Sequence, residues 1–239
     1  MKIRLFTIPN IITLANLMSG VVATIVTLQY HNYTLALALV ILAAIFDFFD
    51  GFVARLLNQQ SPLGVQLDSL ADDVTFGLVP AVVMFDMYKH TASYCGCTSQ
   101  MMEYLGYITL IIAAFSVLRL AKFNIDTTQS TEFSGLPTPA NALLLLSLAM
   151  LFEGGDIVLY KEHILLISVA MSLLLVSPIR MFALKFKGFG WHGNELRYIF
   201  IIASVLIVIF AMRYSVAIII TLYIVVSTLI WLFSKREVK

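Results

Sequence analysis

Apolar residues in this chain are gathered into long runs separated by short polar stretches. The runs approach the ~20 residues that carry an α-helix across about 30 Å of hydrocarbon. They predict eight membrane spans, at 8–28, 34–57, 68–88, 104–122, 137–152, 162–184, 197–212 and 214–233. The runs 137–152 and 197–212 lie near the ~17-residue lower limit, so seven is the competing count. The expected fold class is all-α, a polytopic helical membrane bundle. The stretches 91–103 and 126–134 read as loops, and residues 1–239 as one integral membrane domain without internal repeats. Residues 1–7, with two basic residues among apolar ones, read as a short interfacial segment.

Composition agrees: 60% of the 239 residues are hydrophobic and 12% charged, against about 45–50% and 25% in soluble domains. The net charge of +1 excludes a basic nucleic-acid binder and an acidic disordered chain. With the N-terminus in the cytoplasm, eight spans put Lys2, Arg4, Arg55, Arg119, Lys122, Arg180, Lys185, Lys187, Arg197, Lys235, Arg236 and Lys239 at or near the cytoplasmic face. Lys89, Lys161 and Arg213 fall outside. This asymmetry follows the positive-inside rule, with both termini cytoplasmic. The first apolar run is too long for a secretory h-region and lacks a clear A-x-A site, so it reads as an uncleaved span. Cys95 and Cys97 fall in the outer loop, where two unremarkable thiols, an intermolecular disulfide and a weak metal site are the readings.

The acids are distributed differently. Asp47, Asp50, Asp68, Asp72 and Asp73 lie within 27 residues, at the end of the second span and the start of the third. A charge in a membrane helix costs ~2.5–3.5 kcal/mol even on the lenient insertion scale, so such residues face a cavity or a partner. Asp47 and Asp50 are spaced i, i+3 and Asp68 and Asp72 i, i+4, so each pair shares a helix face. A short turn at 58–63 makes the helices antiparallel neighbours, and the pairs can face each other. Four converging carboxylates need compensation, which hard divalent cations supply through oxygen ligands. Gly51, Ala54 and Gly64 leave room beside the acids, and Arg55 offers a planar fork for a phosphate. Metal ions, carboxylates and such an Arg describe phosphoryl-type transfer. Asp73 is about 100° around the helix from Asp72 and reads as an outer or solvated residue.

The chain resembles the CDP-alcohol phosphotransferase family. The signature D-x2-D-G-x2-A-R-x8-G-x3-D-x3-D is matched by Asp47, Asp50, Gly51, Ala54, Arg55, Gly64, Asp68 and Asp72. Further stretches are similar to the membrane-embedded phosphatidylserine synthases: Ile8-Pro9-Asn10 with Thr13 and Asn16, Asp68 to Asp72 running to Phe76-Gly77, Leu120 to Asn124, Gly135 to Ala140 and Val176 to Arg180. The resemblance implies two Mg²⁺ or Mn²⁺ ions held by Asp47, Asp50, Asp68 and Asp72, with Asp72 also the general base. It implies CDP-lipid contacts at Gly51, Ala54, Arg55, Gly64 and Ser69, and transfer of a phosphatidyl group from CDP-diacylglycerol to the L-serine hydroxyl, releasing CMP. It also implies a homodimer in a bacterial or archaeal cytoplasmic membrane, surrounded by membrane lipids, with its site facing the cytosol.

Arg119, Lys122 and Arg180 are candidates for the serine carboxylate and equally for positive-inside anchors. Asn124, Asn10, Thr13 and Asn16 are candidates to line the cavity, and Asn10 is equally suited to cap a helix. Three departures stand out: Phe52 and Lys122 occupy positions where the serine enzymes carry Arg often and usually, respectively, and Asp73 stands where many carry an apolar residue. No Cys or His adjoins the motif and His192 is far away in sequence, so no covalent intermediate is expected. The alternatives are the same chemistry on glycerol 3-phosphate or inositol phosphate, a divalent-cation transporter, and a non-catalytic scaffold.

Overall fold

A computed structural model describes residues 5–94, 100–126, 132–182, 190–191 and 193–237. Lys2, Arg4, Cys95, Cys97, Lys185, Lys187, His192 and Lys239 lie outside the described residues, as does the centre of the 126–134 stretch.

The helices are α1 (Ile8–Tyr30), α2 (Tyr33–Leu56), α3 (Pro62–Asp72), α4 (Val79–His90), α5 (Gln100–Leu105), α6 (Ile111–Ile125), α7 (Thr138–Glu153), α8 (Lys161–Val176), α9 (Glu195–Ala211) and α10 (Ser215–Glu237). A π-helical turn, Asp73–Leu78, joins α3 to α4, and a 3-10 turn, Gly106–Leu110, joins α5 to α6. Two short strands, β1 (Glu132–Ser134) and β2 (Arg180–Phe182), pair antiparallel, with Phe133 opposite Met181.

Among the described residues, four segments are long and apolar enough to cross a membrane: Ile8–Tyr30, Tyr33–Leu56, Gln100–Ile125 and Glu195–Phe233. The last has 39 residues, about 58 Å if straight and twice the hydrocarbon thickness. It is folded back at Met212, whose backbone is left-handed (φ 40°). The rings of Phe200 and Tyr223 consequently meet at 6.0 Å, so α9 and α10 form an antiparallel hairpin. Thr138–Glu153 is a shorter apolar helix.

Several expected boundaries move. The third helical run begins at Pro62 rather than residue 68, because Ser61 caps it: its Oγ accepts the Gly64 N–H at 3.0 Å. The expected span 162–184 stops at Val176, since Pro178 cannot extend a helix and residues 180–182 pair with β1 instead. Within the expected loop 91–103, residues from Gln100 onward are already helical.

Successive passes alternate between two ends. At one end, the Thr34 N–H and hydroxyl both donate to Glu153 Oε2 at 2.8 Å, Lys161 N–H donates to the Ala92 carbonyl, and Arg213 pairs with Asp156 at 3.3 Å. Lys89, at the end of α4, shares this end with Lys161 and Arg213. At the other, Lys122 Nζ donates to Ser134 Oγ, whose residue faces Arg180 across the strand pair, and Asn124 reaches Ser69. The core surrounds the 62–90 run, where Phe76, Met84, Met87 and Tyr88 are fully buried beside Ile112, Leu145 and Ile164.

Candidate active site: the aspartate cluster

The site begins with how α2 ends. Asn58 takes a left-handed backbone (φ 52°), the Gln59 N–H reaches back to the Ala54 carbonyl at 2.9 Å and the Asn58 N–H to Arg55 at 3.3 Å. These two bonds are the Schellman termination, which reverses the chain immediately after the helix. Ser61 then caps α3 and Pro62 starts it, so the chain reverses within five residues; α3 packs on α1 rather than on α2, and the acids of α2 and α3 meet over α1. Such a tight reversal is what lets i, i+3 and i, i+4 pairs on two helices meet.

They do meet. One carboxylate oxygen from each of Asp47, Asp50 and Asp68 lies within 4.8 Å of the others. Asp72 sits against the same cluster: the Asp47 carboxyl is within hydrogen-bonding reach of both Asp68 and Asp72. Asp47 is nine residues before the end of α2, about 14 Å inward along the axis.

Helix α1 supplies the surrounding hydrogen bonds. Thr13 donates its hydroxyl to Asp50 Oδ2 at 2.5 Å, and Asn16 donates Nδ2 to Asp72 Oδ1 at 3.2 Å. Asp50 is 6% exposed, and Thr13 and Asn16 are buried with it. Asp68 Oδ1 is buried and has no hydrogen-bond partner among the described residues. An unsatisfied carboxylate oxygen inside an acid cluster is costly in a metal-free chain and is what a divalent cation would ligate, so the residues fit such ions.

A cavity of about 250 Å³ opens beside the cluster, lined by Asn10, Thr13, Asp50, Gly51, Ala54, Arg55, Gly64 and Asp68 together with Pro9, Gln59, Gln60, Ser61 and Val65. Among the residues named from sequence, Ser69 does not line it: its hydroxyl bonds the Val65 carbonyl and accepts from Asn124 Nδ2 at 2.8 Å. Asn10 is not a cap, since Thr7 caps α1; Asn10 Nδ2 instead ties the helix to the Leu5 carbonyl. Gln59, Gln60 and Ser61 are additions, and their signal was present in the turn chemistry of Asn58 and Ser61-Pro62.

The three candidate cations separate clearly. Arg119 is 8% exposed, with Nη1 3.4 Å from Thr138 Oγ1 and its guanidinium 5.4 Å from the Phe123 ring centroid. It lies within electrostatic reach of Asp72. Lys122 and Arg180 are exposed. Phe52 is exposed and stacks with Phe48 at 6.5 Å, outside the cavity lining. Asp73 stands apart from the ligand group: its Oδ1 and Ser116 Oγ pack over Gly77, 2.6 and 2.7 Å from where a Cβ would stand.

Comparison with known proteins places this geometry. The family model for CDP-alcohol phosphatidyltransferase matches residues 6–184. The chain is 33% identical over 189 residues to a CDP-diacylglycerol--serine O-phosphatidyltransferase of Bacillus subtilis, covering 79% of this chain and 94% of that one. It is 29% identical over 237 residues to the enzyme of that name from Helicobacter pylori (96% and 92% covered). With the one from Methanocaldococcus jannaschii it shares 30% identity over 178 residues, 74% of each chain. The chain belongs to the CDP-alcohol phosphatidyltransferase family.

Proposed function

We propose that this member of the CDP-alcohol phosphatidyltransferase family transfers the phosphatidyl group of CDP-diacylglycerol to the hydroxyl of L-serine, giving phosphatidylserine and CMP. The observation that carries the reading is the convergence of Asp47, Asp50 and Asp68, with Asp72 against them, beside a cavity bearing Arg55. The names of the relatives support serine as acceptor.

Asp47, Asp50, Asp68 and Asp72 would hold two divalent cations, Mg²⁺ or Mn²⁺, which would supply positive charge against the pyrophosphate and the attacked phosphorus. The chain's own side chains do the rest. Arg55 holds a pyrophosphate oxygen, and Gly51, Ala54 and Gly64 keep the wall open to it. Phe48, Phe49 and Phe52, exposed along α2, give the acyl chains an apolar path from the inner leaflet. Asp72, held by Asn16, removes the serine hydroxyl proton late in attack, the new P–O bond forms, and the CMP phosphate leaves with the old P–O bond's electrons. Arg119, near Asp72 and away from bulk water, pairs with the serine carboxylate.

Eight spans with both termini in the cytoplasm fit the alternating passes and the collection of Lys89, Lys161 and Arg213 at the end opposite Arg55. The aspartates then open to the cytosol at headgroup depth. The test is an acceptor panel: purified protein with CDP-diacylglycerol, Mn²⁺ or Mg²⁺ and serine, glycerol 3-phosphate or inositol phosphate, read as CMP release. Release with serine is expected. Release with a phosphorylated acceptor and none with serine overturns the acceptor while leaving the family chemistry in place.

A further inference from the structure

At the other end of the helices a second ligand-bearing cluster forms. α1 terminates at His31, held in a left-handed backbone (φ 49°), and the turn leads directly into Tyr33 at the start of α2. Asp86 and His90, one turn apart near the end of α4, face this turn. His31 Nδ1 lies 2.8 Å from Asp86 Oδ2, and His90 Nδ1 lies 3.5 Å from Asp86 Oδ1. The two imidazole rings are 4.3 Å apart. One ligand atom from each of the three residues falls within 4.8 Å of the others.

Asp86 is 5% exposed, whereas the side chains of His31 and His90 are 47% and 53% exposed. A buried carboxylate with two half-open imidazoles is a partly closed set with an aqueous entry path. Tyr33 donates its hydroxyl to Asp86 Oδ2 at 2.9 Å, the kind of outer hydrogen bond that orients a ligating carboxylate. Bonds of ~2.0–2.1 Å to tetrahedral zinc place neighbouring ligand atoms about 3.3 Å apart. His31 Nδ1 stands 2.8 Å from one Asp86 oxygen and His90 Nδ1 3.5 Å from the other, one distance on either side of that separation.

We propose that His31, Asp86 and His90 bind one transition-metal ion of the zinc class, separate from the aspartate cluster. Asp86 follows Asp72 by 14 residues, about 21 Å of helix. The donor sets also differ: all-oxygen at the aspartates, two imidazoles and one carboxylate here, a set suited to Zn²⁺, Co²⁺ or Ni²⁺ rather than Mg²⁺. Binding exchanges the 2.9 Å hydrogen bond between His90 Nδ1 and the Asp86 carbonyl for a bond to the ion. The ion clasps the α1–α2 turn to the end of α4 and leaves a fourth position for water.

The experiment titrates Co²⁺ into purified full-length protein, reading the intense visible bands of tetrahedral cobalt, with Zn²⁺ as competitor. One tetrahedral Co²⁺ per chain is expected, displaced by Zn²⁺, unchanged in Asp68→Asn and weakened at least about tenfold in His90→Gln and in His31→Asn. His90 is half-exposed, so His90→Gln should fold; CMP release equal to that of the wild type certifies it. Absence of the tetrahedral spectrum, its persistence in the His31→Asn/His90→Gln double variant, or its loss in Asp68→Asn overturns the proposal. Failure of the acceptor panel would leave this result standing, since the spectrum does not depend on turnover.

Discussion

At the scale of single residues, the division of labour follows from which oxygen each neighbour holds. Asp50 accepts from Thr13 and Asp72 from Asn16, while Asp68 keeps an unsatisfied oxygen. Asp72→Asn should therefore lower kcat for CMP release by ~10²–10⁴ while the protein remains folded, measured at saturating serine. Arg119→Lys keeps the charge and loses the fork; the KM for serine should rise about tenfold with the KM for CDP-diacylglycerol unchanged, which steady-state kinetics on each substrate would separate. Chelation should abolish turnover, and added Mg²⁺ or Mn²⁺ should restore it. The aspartate spacing was legible in the sequence because two helical periodicities and one short turn suffice to converge four side chains. The separation of Arg119 from Lys122 and Arg180 was not, since burial of a cation depends on what α7 and α10 bring against it.

At the scale of elements, the π-helical turn directly after Asp72 sets how α3 and α4 meet α1. Pro80 has no N–H to give Phe76, and the Val79 N–H bonds the Val74 carbonyl five residues back, so the helix widens there. Thr75 in that turn donates its hydroxyl to the Asn16 carbonyl at 3.3 Å. Gly20 permits this approach: a Cβ would stand 2.5 Å from Thr75 Oγ1 and 2.9 Å from Thr75 Cα. Backbone cannot yield as a flexible side chain can, so Gly20→Ala should push α1 from the turn and displace Asn16. The expectation is a loss of ~1–3 kcal/mol in stability with a fall in kcat, measured by thermal unfolding in detergent alongside CMP release. A stability and rate equal to wild type would show that α1 does not need this contact. Hydrophobic periodicity placed α1, α2 and α7 within a few residues, but it carries no signal for a π turn or for the early start of α3, which rests on the Ser61 cap.

At the scale of the whole molecule, apolar runs and sparse charges made the helical membrane architecture readable, because hydrocarbon forbids most alternatives. The break within Glu195–Phe233 was legible too: the expected spans 197–212 and 214–233 part at Arg213, beside the positive-φ Met212 where the chain turns back. With Cys95 and Cys97 replaced by Ser, cysteines introduced singly beside Arg55 and beside Arg213 should label from opposite sides of sealed vesicles; labelling from one side would contradict the alternating passes. The proposed role of the aspartate cluster in serine-dependent phosphatidyl transfer can be measured directly. The most direct measurement compares wild type and Asp72→Asn in the same vesicles, with CDP-diacylglycerol, radiolabelled serine and Mn²⁺, counting CMP against phosphatidylserine. Equal amounts of the two products from wild type, and almost none from Asp72→Asn, are the predicted result; serine incorporation undiminished in Asp72→Asn would contradict it.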